Sequence, residues 1–213
     1  MQTNPEHICE TRSALLKSAE ALFIAHGYTG VSVRQITQAC GANVASINYH
    51  FNDKTGLFRE VLSNRLDQIT QAKVALLESL DKQQPPVTLE QVLDVYIRSF
   101  FESHLTAEGD RLMQIIYREM GPDAVTGDLV AERLIRPINR AFKNALMKAC
   151  PSLDDSYASL CASSITGQIL HFMRSRGILR SMHNSQEDQA FIENIIQHIK
   201  LFSLHGLGGS QDG

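Results

Sequence analysis

Between Ser32 and Lys54 the chain carries side chains that could hold a phosphate backbone and read the edges of bases. Ser32-Val-Arg-Gln35 reads as a capping box, which sets the Ser32 hydroxyl at a helix N-terminus, where free N–H groups and the helix dipole favour a phosphate. Lys54 falls in the first turn of the next long helix, where its charge opposes the dipole; an external anion is a reasonable explanation for it. Arg34 can bind guanine with two hydrogen bonds, Asn48 can do the same with adenine, and Val44 or Ala45 can meet a thymine methyl. No other part of the chain offers a comparable set. It has no His-Glu-x-x-His, no Gly-x-Ser-x-Gly elbow and no phosphate-cradling glycine loop, and its eight histidines fall at no ligand spacing. His198 and His205 read as a frayed helix end, and Cys9, Cys40, Cys150 and Cys161 lie too far apart in sequence for a zinc site or a disulfide framework. No catalytic group, metal or cofactor is expected.

The elements that must position these residues are helices. Apolar residues recur at three and four over most of the chain, and no long β-type alternation interrupts them, so the fold class is all-α with about nine helices. The spacing predicts a helix over 10–26 with Leu15, Leu16, Ala19, Leu22 and Phe23 on one face, then a short helix from the Ser32 box to Cys40. Gly41 supplies a positive-φ turn, Asn43 caps another short helix to Phe51, and Asp53 opens a long one over 54–80. Further helices are expected over 88–105, 109–120, 126–150, 154–176 and 186–204, with Pro137 kinking or dividing the third of these. Two helices of about eight residues joined by a glycine turn are too short to stand alone. The first helix can support them, and three helices so arranged have the geometry of a DNA-reading helix-turn-helix.

The run Gly27-Tyr28, Ser32-Val-Arg-Gln-Ile36, Cys40-Gly41 through Tyr49-His50-Phe51, Asp53-Lys54 and Gly56-Leu57 resembles the N-terminal domain of the TetR family of transcriptional regulators. The resemblance covers about residues 10–60. Position by position it implies that Ser32, Tyr49, His50 and Lys54 hold the DNA backbone, while Arg34, Val44, Ala45, Ser46 and Asn48 lie near base edges. Structural alternatives stand beside these roles: Ser32 as a cap alone, Tyr49 packing on the first helix, His50 satisfying a helix C-terminus. Ile36, Ile47 and Phe51 are expected in the core. Ala45 and Asn48 depart from the commoner family pattern of glycine and an aromatic, so base preference does not transfer.

A DNA-reading domain over 1–52 leaves 53–205 for ligand binding and dimerisation, and 206–213 as a flexible tail. Two copies are needed to read a palindromic operator in double-stranded DNA. The 154–176 helix is rich in small residues, among them Ala158, Cys161 and Ala162, and the last helix carries an apolar stripe too wide for one contact. Together with the pairing of the last two helices that the resemblance implies, this makes Ala158, Cys161, Ala162, Ile165, Ile169, Phe191, Ile195, Ile199 and Phe202 the expected homodimer interface, a monomeric core with both helices buried internally being the alternative. Phe100, Phe101, His104, Met113, Ile116, Tyr117, Met120, Phe142, Leu146 and His171 mix apolar bulk with polar groups as a ligand pocket does, although core packing explains most of them singly. Leu112 to Pro122 and the region of Arg136-Pro137 resemble the subgroup with a CecR-like C-terminal domain, which implies an unidentified, small and largely apolar ligand. The implied function is a repressor released from its operator by that ligand; an activator or ligand-independent regulator, and more remotely an all-helical dimeric enzyme, are the alternatives.

The 213 residues are 43% apolar and 20% charged, with 13 Gly and 6 Pro, which excludes disorder and collagen-like repetition. No apolar run approaches the roughly 18–20 residues of a membrane span, and no basic region followed by an apolar run opens the chain, so a cytoplasmic location is expected. The net charge is −3 and the sequence pI about 6.2, unfavourable to a protein that coats DNA indiscriminately. Residues 1–65 are near neutrality at +1 and the remainder carries −4, so the acidity belongs to the body.

Overall fold

The computed structural model describes residues 5–102, 106–121, 124–182 and 189–208. Among these every regular element is helical. The helices are α1 (Pro5–His26), α2 (Val33–Cys40), α3 (Val44–Phe51), α4 (Lys54–Leu80), α5 (Leu89–Glu102), α6 (Ala107–Glu119), α7 (Gly127–Val130), α8 (Arg136–Ala149), α9 (Asp155–Met182) and α10 (Gln189–Gly208). A π-helical turn, Ala131–Ile135, joins α7 to α8. Pro137 accounts for that division: it has no N–H to offer the carbonyl of residue 133, and it sits in the first turn of α8, where the missing donor costs nothing. The sequence pattern stops α9 at residue 176, whereas it runs six residues further. Residues 206–208, expected in a flexible tail, belong to α10, and 209–213 lie outside the described residues.

The chain forms two compact units, residues 1–69 with 106–134 and residues 70–105 with 135–213. In the first, Leu15, Ala19 and Phe23 of α1 meet Ile36 of α2, Ile47 and Phe51 of α3, and Leu57, Phe58 and Leu62 of α4 in a buried core. The Phe23 and Phe58 rings are edge-on with centroids 5.1 Å apart, and α6 also packs on α1. Arg59 forks onto Asp128 at 3.0 and 2.7 Å, Arg65 pairs with Glu20 and Glu108, and Arg133 with Asp67, so α4 is tied to α1, α6, α7 and the π turn. In the second, α5, α8, α9 and α10 pack around Tyr96, whose ring stacks on Phe142 at 3.5 Å and whose hydroxyl bonds Thr166 Oγ1 at 2.8 Å. Arg98 of α5 forks onto Glu193 of α10 with both contacts at 2.6 Å and also bonds Asp94.

Candidate nucleic-acid interface

Each short helix is fixed at both ends by the residues its sequence supplies. At α2, Gln35 N–H donates to Ser32 Oγ (3.3 Å) and Ser32 N–H donates to Gln35 Oε1 (2.8 Å), the reciprocal capping box expected. Gly41 ends it at φ +68°, and Ala42 N–H returns to the Thr37 carbonyl at 2.9 Å. Asn43 Oδ1 then accepts from Ala45 N–H (3.0 Å) to start α3, and Asn52 closes it at φ +69°. Asp53 Oδ1 accepts from Gly56 N–H (2.7 Å) to start α4. Gly56 is required by sterics, because a Cβ there would stand 1.9 Å from the Phe51 carbonyl oxygen.

With these caps α3 has one orientation. Ile47 and Phe51, four residues apart, are buried against the first unit's core, so Val44, Ala45, Asn48 and Tyr49 face outward. Tyr49 is 72% exposed and Val44 46%, which removes core packing as the reason for either. Ser46 and His50 are half-buried at the margin of this face, and the His50 ring lies edge-on to Tyr49 with centroids 4.9 Å apart. Arg34 stands exposed on α2 with no ion-pair partner among the described residues.

Lys54 is held rather than loose. Its Nζ stands 4.2 Å from the centroid of Tyr28, whose hydroxyl is bonded to Thr55 Oγ1 at 2.8 Å. Partial burial pushes the Lys54 ammonium below its ordinary range. Arg12 lies over the Phe51 ring at 5.4 Å and pairs with Glu60, bracing the end of α3 from the other side. Sequence reasoning assigns no side-chain role to Arg12, nor to Tyr28 beyond its place in the run that carries the resemblance. The Ser32 hydroxyl accepts from Gln35 N–H and donates its one proton to Gln35 Oε1 at 2.8 Å, so donating to a phosphate requires that proton to turn away from Gln35.

Residues 15–61 match the family of bacterial regulatory proteins of the tetR type, and residues 89–207 match the C-terminal domain of the HTH-type transcriptional dual regulator CecR. The chain belongs to the TetR family, with a CecR-type C-terminal domain. It is 29% identical over 116 residues to the HTH-type transcriptional regulator YttP of Bacillus subtilis, covering 54% of this chain and 52% of that one. With the regulator AcrR of Shigella flexneri it shares 31% over 111 residues, 52% and 49% of the two chains. The chain thus spans about half the length of the curated relatives it matches. A TetR-family regulator from Mesorhizobium loti has the same fold with a TM-score of 0.70 at 19% identity, over 97% of both chains. A transcriptional regulator from Saccharomonospora viridis in complex with choline aligns at TM-score 0.67 and 18% identity, over 92% of this chain and 97% of that one. These relatives are regulators of transcription, not enzymes.

The remaining expected sites fall less neatly. Met113, Ile116, Tyr117 and Met120 belong to the first unit, whereas Phe100, Phe101, Phe142, Leu146 and His171 belong to the second; His104 lies outside the described residues. Phe142 is a core residue stacked on Tyr96, Leu146 is fully buried, Met120 is exposed, and His171 is exposed on α9. Of the expected interface, Ala158, Ala162, Ile165, Ile169, Ile195 and Ile199 are buried inside the second unit. Cys161 and Phe191 are half-buried, and Phe202 is 62% exposed. Small residues on a helix signal close packing without saying on which side it occurs. Among the described residues no helix is long and apolar enough to cross a membrane.

Proposed function

We propose that this TetR-family chain is a homodimeric repressor that reads a palindromic operator with α3 and releases it when a small, largely apolar ligand enters the C-terminal body. The observation that carries the reading is the outward set Val44, Ala45, Asn48 and Tyr49 on a helix whose opposite residues, Ile47 and Phe51, lock it into the core. A side chain that reads bases needs a rigid support, and capped, core-anchored α3 supplies one. Arg34, Val44, Ala45, Ser46 and Asn48 meet base edges; Tyr49, His50 and Lys54 hold phosphates, joined by Ser32 once its hydroxyl leaves Gln35.

Dimerisation uses the outer faces of α9 and α10. Leu160, Ile178, Met182, Leu201 and Phe202 are exposed there, and outward Ser159, Ser163 and Gly167 allow another helix to approach closely. The two serine hydroxyls already donate to Asp155 and Ser159 carbonyls, so covering them leaves no donor unmade. Of the residues named from sequence, Phe202 stays in this interface, with Cys161 and Phe191 at its margin.

Release requires the ligand to bind the DNA-incompetent conformation more tightly, with α4 as the element whose tilt changes the separation of the two α3 helices. The choline held by the Saccharomonospora viridis neighbour supports a ligand-binding role for this fold. The CecR domain is described as that of a dual regulator, which favours activation at some promoters as the second reading. Genomic footprinting with the purified protein tests the function: a protected palindrome near its own gene, lost as salt rises, is expected, and the absence of sequence-selective binding overturns it. Transcription from the footprinted promoters in a deletion strain separates repression from activation.

A further inference from the structure

Lys73 of α4 lies inside the second unit with 7% of its surface exposed. Its ammonium donates to the Ser99 carbonyl oxygen at 2.7 Å and to Ser99 Oγ at 3.1 Å, and Nζ stands 3.9 Å from the centroid of the Phe100 ring. Ser99 is arranged to receive it: its own hydroxyl proton goes to the Tyr96 carbonyl at 2.7 Å, which leaves the oxygen lone pairs to the ammonium. All three partners are neutral. Lys200, the other buried lysine of this unit, has Asp94 at 3.1 Å and Glu90 at 3.4 Å. Among the described residues no carboxylate lies within ion-pairing distance of Lys73; Glu102, exposed at the end of α5, is the charged group that acts on it, and only through longer-range attraction.

A buried cation without a counter-ion is a costly thing for a fold to keep, since a methionine would bury a similar stem with no charge to desolvate. Such a group calls for a negative partner, and the described residues place none within ion-pairing distance of it. We infer that Lys73 is the polar anchor of the effector site, and that the effector is a small organic acid whose carboxylate takes the ammonium N–H now turned to the Phe100 ring while its apolar part packs beside that ring. The inference rests on reading the C-terminal body as a ligand sensor and narrows it to anionic ligands. A choline-like cation is excluded from this position by charge.

Burial holds the Lys73 ammonium down to about 7, against the opposing attraction of Glu102. Below that pH the anchor is already charged. Above it, an acid binds only by taking up a proton, so affinity falls by up to about tenfold per pH unit.

The test uses the full chain and three acids, octanoate, decanoate and salicylate, each beside its neutral amide, with choline as a cationic control. Titration calorimetry at pH 6.5 and 8.5 is expected to show the best acid favoured over its amide by about tenfold or more, weaker binding at the higher pH, and buffer-dependent heat from proton uptake. Lys73→Met, with helix content checked by circular dichroism, is expected to lose both the acid preference and the proton uptake. Equal binding of acid and amide, a preference that survives in Lys73→Met, or no binding of any acid overturns the anchor; the first and third outcomes need no variant. Operator release distinguishes the two layers. Acids that bind through Lys73 without releasing DNA overturn release and leave the anchor, whereas neutral compounds that release DNA equally from Lys73→Met leave the sensor and overturn the anchor.

Discussion

Lys54 Nζ stands 4.2 Å above the Tyr28 ring, so the cation at the start of α4 is positioned by an aromatic residue from the turn after α1. The ring offsets the unfavourable helix dipole and fixes where the ammonium stands, which under the proposed function prepares it for a phosphate. Lys54→Ala is expected to weaken operator binding and to reduce the slope of log affinity against log salt by about one unit per subunit. Tyr28→Leu is expected to weaken binding with a smaller change in slope, because the charge remains but its position is lost. Tyr28→Phe keeps the ring and loses only the bond to Thr55, so it stays nearer the parent. Fluorescence anisotropy with operator DNA across a salt series checks all three.

Asn48 and Arg34 are exposed and outside the core, whereas Ile47, one residue away from Asn48, is fully buried. Asn48→Ala or Arg34→Ala is expected to relax preference at one base pair of each half-site by ~1–3 kcal/mol while the melting temperature stays put. Ile47→Ala is expected to cost ~2–5 kcal/mol of stability and to weaken binding to every sequence alike. Binding to a set of singly substituted operators, beside thermal melts, separates reading from support.

The helix-turn-helix was legible because its signals are local. Ser32 with Gln35, Gly41, Asn43 and Asp53 each act within four residues of themselves, and all of them cap or turn as their types require. What could not be read is what depends on distant partners. Nothing near Lys73 in sequence says that Ser99 and Phe100 will surround it, and a lysine in a long helix ordinarily reads as surface. Ala158 and Ala162 carried the signal of close packing, but only the fold shows that their side of α9 faces inward and that Ser159 and Ser163 face out.

Gly56 separates two explanations of the same motif. Its Cβ would stand 1.9 Å from the Phe51 carbonyl oxygen, a backbone atom that cannot yield without moving the end of α3 relative to α4. Gly56→Ala is therefore expected to destabilise the first unit by several kcal/mol and to abolish operator binding, although alanine is the better helix former. At Gly41, where a Cβ would meet no atom within 4 Å, alanine strains only the left-handed turn and is expected to cost ~1–2 kcal/mol. Denaturant melts of the two variants give the comparison.

Lys73 also predicts how stability changes with pH. Its folded-state value of about 7 lies below the ordinary 10.5, so between these limits the unfolded chain binds more protons and stability rises with pH. From pH 7 to pH 9 this one group is expected to add ~2 kcal/mol, a gain that Lys73→Met should lack because it is already relieved of the charge. Glu193 behaves oppositely. The Arg98 fork holds its carboxyl down to about 2, so its contribution is present above the usual glutamate range and is lost as the pH falls from there towards 2. That pair is half-exposed and its effect is correspondingly small. Urea melts of parent and variant across pH 6–9 check the lysine.

In the proposed dimer the outer face of α9 and α10 joins the two copies that read the operator. Phe202 is 62% exposed, and a chain of ring contacts, His171 to Phe172 at 5.7 Å, Phe172 to His198 at 5.8 Å and His198 to Phe202 at 6.2 Å, continues across the two helices beside it. Single exposed apolar residues are ordinary, but Leu201 and Phe202 are consecutive and both more than half exposed on α10, beside α9. Leu201→Glu with Phe202→Glu places like charges against each other across a two-fold interface without touching the core of either copy. The doubly substituted chain is expected to sediment as a folded monomer with unchanged helix content. Its operator affinity should drop to that of one half-site, because two linked reading helices bind a palindrome far more tightly than either does alone. A dimer that persists at micromolar concentration would place the interface on another face of the chain.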